Sequence, residues 1–120
     1  MTEPPAFDHI ALTVPDLAAL VERLTTAFGM EVQLQVGQFA VLVDPRTGLK
    51  FELGASTDED VHVRHLGFRT DDVDRAHARL VTDGMETTGE PQRQDFARMY
   101  TAYVREPGGV EIQLLKYDDD

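Results

Sequence analysis

The chain has 120 residues, of which 42% are hydrophobic, and a single domain of this size buries about 65% of the surface of its unfolded chain. Its 11 Lys and Arg residues stand against 22 Asp and Glu residues, and the resulting net charge of −11 excludes a nucleic acid partner, because it repels the phosphate backbone. No run of about 18 apolar residues could span a membrane, and the start MTEPPAFDH lacks the basic and apolar regions of a signal peptide, so we expect a cytoplasmic protein without a membrane partner.

The first half of the chain predicts one strand, one helix and three further strands. Residues 7–14, FDHIALTV, alternate in polarity and are rich in branched side chains, which indicates a strand that Pro15 ends. A helix should follow, because Asp16 is a good N-cap and Gly29 is placed to end the helix in the left-handed conformation. Alternating apolar runs then predict strands near residues 30–36, 38–44 and 49–54.

The second half repeats this order after an acidic linker at residues 55–60. RHLGFRTDDV, residues 64–73, matches DHIALTVPDL, residues 8–17, at an offset of 56 that places His65 on His9. The predicted elements are a strand at 61–69, a helix from about 72 to 83 that Gly84 ends, and strands near 85–92, 97–105 and 109–116.

Two similar units of this size indicate the duplication of one βαβββ module. Module 1 covers residues 7–54, module 2 covers residues 61–116, and residues 117–120 form an acidic tail. We therefore expect a single domain of the α+β class with a mostly antiparallel, strongly curved sheet.

The doubled module and the hairpins VDPRTGLKFEL and REPGGVEIQLL resemble the vicinal oxygen chelate superfamily. This superfamily includes glyoxalase I, methylmalonyl-CoA epimerase, extradiol dioxygenases and bleomycin-binding proteins, and the resemblance covers residues 7–116. It implies two βαβββ modules around a central cavity, where a divalent metal ion takes one ligand from each first strand and one from each fourth strand. It also implies a small-molecule substrate and a homodimer.

Three residues fall on ligand positions of this family. The absence of cysteine leaves His, Asp and Glu as the strong metal ligands. Because alternate side chains of a strand point to opposite faces, His9 and His65 lie opposite the apolar residues that should meet the helices. Glu52 follows the turn residue Gly48 by four positions, which is the family's ligand position.

Two residues of the last strand are candidates for the fourth ligand. Gln113 lies four residues after Gly109, whereas Glu111 lies two residues earlier on the same face. We favour Gln113, because the turn lengths of the two halves then agree. For a divalent Zn, Ni, Co, Mn or Fe ion, the predicted ligands are His9, Glu52, His65 and Gln113. One carboxylate leaves the site with a net charge of about +1, which favours an anionic enolate or enediolate oxygen.

The resemblance implies a glyoxalase-like lyase or isomerase that moves a proton next to a chelated carbonyl through an enediolate. Glu52 and Glu111 are the candidate catalytic carboxylates, and Tyr103 and Arg69 are candidate contacts to an anionic substrate. One alternative is an Fe(II) dioxygenase, in which two histidines and one carboxylate hold the iron. Another is a resistance protein that binds an antibiotic or other small molecule. We do not expect the remaining histidines at the metal; they are His62 and His77.

Overall fold

The computed structural model describes residues 3–119, which form eight strands and two helices of an α+β fold. The predicted order βαβββ occurs twice. Met1, Thr2 and Asp120, the last residue of the predicted acidic tail, lie outside the described residues. The elements are β1 (Ala6–Val14), α1 (Leu17–Phe28), β2 (Glu31–Val36), β3 (Phe39–Val43), β4 (Lys50–Ala55), β5 (His62–Arg69), α2 (Val73–Thr82), β6 (Glu86–Gln94), β7 (Met99–Arg105) and β8 (Glu111–Tyr117). Neither helix of this region is long and apolar enough to cross a membrane.

The chain divides into two compact units. The N-terminal unit comprises residues 8–64, and the C-terminal unit comprises residues 65–119 together with residues 3–7. In the C-terminal unit, the ring of Phe7 packs edge-to-face on the ring of Phe68, with 5.6 Å between the ring centroids. This aromatic pair is one contact between residues 3–7 and the rest of the C-terminal unit.

In the N-terminal unit the strand order is β2-β3-β4-β1, and β1 pairs with β4 in parallel while the other pairs are antiparallel. The helix α1 begins after Asp16, whose side chain accepts a hydrogen bond of 3.1 Å from the backbone N–H of Ala19. It ends at Gly29, which has a left-handed φ of 71° as predicted. The apolar face of α1 packs on the sheet, and the buried core consists of Val14, Leu17, Val21, Met30, Ala40, Leu42 and Leu53.

The C-terminal unit repeats this plan with the strand order β5-β8-β7-β6, in which β5 and β8 are parallel. The side chain of Asp72 caps α2 by accepting a hydrogen bond of 3.0 Å from the backbone N–H of Arg75. Beyond the helix, Gly84 adopts a φ of 106°. The core of this unit consists of buried Val73, Ala102 and Leu114, with Phe68, Ala76, Leu80 and Tyr100 packed against them.

The buried core of the N-terminal unit gives a direct test of this packing. The Leu42 side chain is fully buried, whereas Leu49 is 41% exposed. Replacing Leu42 by alanine should lower the free energy of unfolding by about 2–5 kcal/mol, because it removes buried apolar contacts and leaves a cavity. Urea unfolding followed by circular dichroism measures this loss. The Leu49→Ala variant is the matched control, and an equal loss in both variants would contradict the assigned core.

Candidate functional site

The β1 strand places His9 in a fully buried position with a carboxylate beside it. His9 is 0% exposed, and its Nδ1 atom lies 2.7 Å from Oδ2 of the buried Asp8. Because a carboxylate only accepts hydrogen bonds, the ring hydrogen of a neutral His9 sits on Nδ1. The lone pair is then on Nε2, and a carboxylate that supports the ring in this way is typical of metal-binding histidines.

Glu52 faces this lone pair. Its Oε2 atom lies 3.1 Å from His9 Nε2, because the parallel register of β1 and β4 sets Glu52 opposite Ala11, on the same face as His9. A neutral Nε2 and a carboxylate oxygen are both acceptors, so this contact is attractive only with a cation, either a proton on Nε2 or a metal ion. Two ligand atoms that bind one ion at about 2.1 Å and about 90° are about 3 Å apart. The His9–Glu52 pair therefore fits two ligands of one metal ion.

In the C-terminal unit, His65 is buried beside an aromatic ring. The ring of Tyr103 meets the His65 ring edge-on, with 5.7 Å between the centroids and an interplanar angle of 76°. Tyr103 in turn lies close to the backbone of Gly89, where an added Cβ atom would be only 2.9 Å from Tyr103 Cδ2. The absence of a side chain at position 89 thus gives the Tyr103 ring the room to lie next to His65.

Gln113 is held by a short chain of hydrogen bonds. Its side chain is 1% exposed, and its Nε2 atom donates to Thr101 Oγ1 at 2.9 Å. The Thr101 hydroxyl donates its single hydrogen to the carbonyl oxygen of Leu114 at 2.8 Å, so it can only accept from Gln113. The buried Oε1 atom of Gln113 receives no hydrogen bond from any of the described residues. An acceptor left in this way costs folding free energy, which a bound cation would offset.

By strand register, Gln113 and not Glu111 occupies the position equivalent to Glu52. Gln113 pairs with Gly67 on β5, as Glu52 pairs with Ala11 on β1. Ala11 and Gly67 are themselves equivalent positions of the two repeats. The two modules thus present equivalent faces, each with one histidine from the first strand and one oxygen ligand from the fourth.

Glu111 has polar partners within its own unit. One carboxylate oxygen accepts a hydrogen bond from the Thr88 hydroxyl, and the other lies 3.5 Å from Nε of Arg105. Arg105 is the residue opposite Glu111 in the β7–β8 register. The Glu111 carboxylate thus contacts Arg105 on the adjacent strand β7 and Thr88 on β6, one strand further along the sheet.

The other residues that the sequence analysis considered are Arg69, His62 and His77. Arg69 is exposed at the end of β5, four residues after His65 and therefore on the same face of the strand. His62 is exposed, and its Nε2 atom lies 3.0 Å from Asp58 Oδ1. His77 is buried on α2, where its Nε2 atom lies 2.8 Å from the hydroxyl of Thr87.

Two residues with direct contacts to the predicted ligands were missing from the sequence prediction. Asp8 could have been found, because it directly precedes His9 and a carboxylate is a common partner of a metal-binding histidine. Thr101 carries no such signal. Its contact with Gln113 depends on the pairing of β7 with β8, which the spacing along the chain does not reveal.

The candidate ligand atoms of both units suit a divalent transition metal ion. Imidazole nitrogen, carboxylate oxygen and amide oxygen are accepted ligands for such ions, and no thiolate is required. In the N-terminal unit an imidazole nitrogen and a carboxylate oxygen lie 3.1 Å apart, and in the C-terminal unit the buried Gln113 oxygen receives no hydrogen bond from the described residues. Both features fit a bound cation.

Comparisons with solved structures identify methylmalonyl-CoA epimerases as similar folds. The structure from Mycobacterium tuberculosis is 23% identical, with a TM-score of 0.77 over 93% of this chain and 87% of that chain. A variant of the Streptomyces coelicolor enzyme in complex with 2-nitronate-propionyl-CoA is 25% identical, with a TM-score of 0.74 over 96% of this chain and 99% of that chain. A methylmalonyl-CoA epimerase in complex with methylmalonyl-CoA and NH4+ is also 25% identical, with a TM-score of 0.74 over 96% of each chain.

No curated protein matches the sequence. The family model of the Glyoxalase/Bleomycin resistance protein/Dioxygenase superfamily matches residues 6–114, which is nearly the whole chain and contains all four predicted ligand positions. The repeated βαβββ order and the equivalent strand registers agree with this match. The chain therefore belongs to the Glyoxalase/Bleomycin resistance protein/Dioxygenase superfamily, which is the vicinal oxygen chelate superfamily.

Proposed function

We propose that the protein is a divalent-metal-dependent isomerase of the epimerase type, which moves a proton next to the carbonyl group of a small molecule. The observation that carries this proposal is the contact of 3.1 Å between the buried His9 Nε2 and the carboxylate of Glu52. A neutral Nε2 atom and a carboxylate oxygen are both acceptors, so the contact needs a cation, and we take that cation to be a metal ion. The proposed ligands are His9, Glu52, His65 and Gln113.

The repeat supports the two ligands from the second module. His65 and Gln113 occupy in the C-terminal unit the positions that His9 and Glu52 occupy in the N-terminal unit, by sequence offset and by strand register. Since the first module presents a pair of ligand atoms at metal-binding distance, the equivalent residues of the second module are the natural remaining ligands.

The charge of this ligand set fits the proposed chemistry. A divalent ion bound there would polarise a substrate carbonyl as a Lewis acid and so increase the acidity of the neighbouring C–H. Glu52 is the single carboxylate among the four ligands, and Gln113 contributes a neutral oxygen. The ligands therefore leave positive charge to stabilise the negative charge that develops on the substrate when the proton is removed.

We propose that a carboxylate of this chain carries the proton, with Glu111 as the first candidate and Glu52 as the second. The contacts of the Glu111 carboxylate with Thr88 and Arg105 support this choice, because they would help to orient the group toward a defined C–H. Glu52 already serves as a proposed ligand, so it could carry the proton only by giving up part of its hold on the ion.

The proposed substrate class is an acyl thioester of coenzyme A with an acidic proton beside the thioester carbonyl. Support comes from the methylmalonyl-CoA epimerases that share this fold, two of which hold 2-nitronate-propionyl-CoA and methylmalonyl-CoA. In methylmalonyl-CoA this proton lies between a thioester and a carboxylate. Tyr103, which lies next to His65, and Arg69, which is cationic and exposed on the same strand as His65, are the proposed substrate contacts.

Removal of the His9 imidazole should strongly weaken metal binding. Purified protein should contain about one divalent ion per chain, and His9→Ala should weaken binding by more than about 100-fold, because ligand loss exceeds the effect of losing a supporting residue. Plasma mass spectrometry and competition with a chelator measure this change. Glu52→Gln, which keeps the side-chain shape, should lose affinity as well.

The exposed His62 provides the matched control for this measurement. Like His9 it lies close to carboxylates, those of Asp58 and Asp60, but this group is on the surface of the same unit. The His62→Ala variant should keep the ion. A His62→Ala variant that loses the ion, together with a His9→Ala variant that retains it, would contradict the proposed ligands.

The proposed epimerase activity can be measured by exchange of the C2 proton of methylmalonyl-CoA in D₂O, followed by mass spectrometry. Glu111→Gln should slow this exchange by about 10²–10⁴-fold, the usual contribution of a general acid or base, while metal content stays unchanged. Glu86→Gln, an exposed glutamate on β6, is the control and should exchange at the wild-type rate. An unchanged rate in Glu111→Gln would exclude Glu111 as the proton carrier, and no enzyme-dependent exchange in wild-type protein would exclude this substrate.

A further inference from the structure

The hydrogen-bond partners of the Gln113 amide differ sharply between its two ends. Nε2 donates to Thr101 Oγ1 at 2.9 Å and lies 3.9 Å from the sulfur of Met99, whereas Oε1 is buried without a hydrogen-bond donor from the described residues. Both amide hydrogens therefore have an acceptor, one strong and one weak. The oxygen is the end of the amide that is left for a cation.

Thr101 can support only this orientation of the amide. Its hydroxyl is fully buried and donates its one hydrogen to the carbonyl oxygen of Leu114 at 2.8 Å. If the amide were rotated by half a turn, Oε1 would meet the lone pairs of the Thr101 oxygen and of the Met99 sulfur. Two acceptors would then face each other in a buried place, which costs free energy.

We propose that Thr101 is a positioning residue that turns the carbonyl oxygen of Gln113 toward the metal ion and selects an amide rather than a carboxylate as the fourth ligand. This inference rests on the proposed function, because it takes Gln113 to be a ligand. It adds a residue that does not itself touch the ion, at a position on β7 that only the β7–β8 pairing brings to Gln113.

The selection follows from what a glutamate at position 113 would meet. One of its two oxygens would lie where Nε2 lies, against the Thr101 oxygen and the Met99 sulfur, and neither of these groups has a hydrogen to offer in the present arrangement. The Thr101 hydroxyl could donate to the new carboxylate only by leaving the Leu114 carbonyl. A buried carboxylate is therefore disfavoured here, although its charge would attract a metal ion.

The test uses Co²⁺ as the probe, because its affinity can be measured by competition with a chelator and its visible absorption reports the ligands. Thr101→Val keeps the shape of the side chain but removes the hydroxyl, and it should weaken Co²⁺ binding by about 10–100-fold and change the absorption spectrum. Thr101→Ser keeps the hydroxyl and should bind Co²⁺ like the wild type. Wild-type affinity and spectrum in Thr101→Val would overturn the proposal.

Gln113→Glu tests the selection with Thr101 intact, so the proposal can be judged even if Thr101→Val does not fold. It should bind Co²⁺ more weakly than the wild type despite its added negative charge, and tighter binding would overturn the selection of an amide. His9→Ala distinguishes a failure of the proposed role of Thr101 from a failure of the proposed metal site. If His9→Ala loses Co²⁺ and Thr101→Val does not, only the role of Thr101 fails; if neither loses it, the proposed metal site fails.

Discussion

The parallel pairing of the first and fourth strands of each module is the constraint on which the rest of the structure depends. It sets Glu52 opposite Ala11 in one unit and Gln113 opposite Gly67 in the other. A slip of one residue would turn the fourth strand over and bring its apolar residues to the face of the histidines. The helices prevent this slip, because Leu53 and Leu114 lie in the buried cores beneath them. Packing of the helical side therefore fixes the chemistry of the opposite side.

The fold could be predicted from the sequence because its signals are local. The caps at Asp16 and Gly29 and the alternation of residues 7–14 depend on neighbours along the chain, and the structure confirms them. The ends of β6 and β7 were less well predicted: β6 extends to Gln94, and its pairing with β7 contains two register shifts. Such irregular pairing depends on contacts between strands, which local spacing does not record.

The candidate site could be predicted as far as it too depends on local signals. The parity of a strand is enough to put His9 and Ala11 on one face, and the repeat extends this to His65. Glu52 and Tyr103, which contact these histidines, were predicted as site residues, and Asp8 could have been predicted because it is adjacent in sequence; Thr101 could not. Thr101 contacts Gln113 across the pair of strands β7 and β8. Because the Thr101 hydroxyl donates its hydrogen to the Leu114 carbonyl oxygen, it can only accept a hydrogen bond from the Gln113 amide. The proposed ligand set itself stays a prediction.

The two modules have diverged in the groups that support their histidines. His9 is supported by the carboxylate of Asp8, whereas His65 is flanked by the ring of Tyr103, and Arg64 stands at the position equivalent to Asp8. An anionic partner strengthens an imidazole as an electron donor, and an aromatic ring does so much less. The two equivalent histidines of the duplicated sequence therefore have different neighbours, a carboxylate beside His9 and an aromatic ring beside His65.

The packing of Phe7 on Phe68 also bears on the order in which the protein is made. Residues 3–7 leave the ribosome before the rest of β1, yet they belong to the unit whose other residues begin at position 65. The Phe7 ring, which is 41% exposed in the folded chain, cannot pack on Phe68 until the second module has been translated. Apolar surface that is unpaired during folding favours aggregation, so early translation of the second module favours this contact.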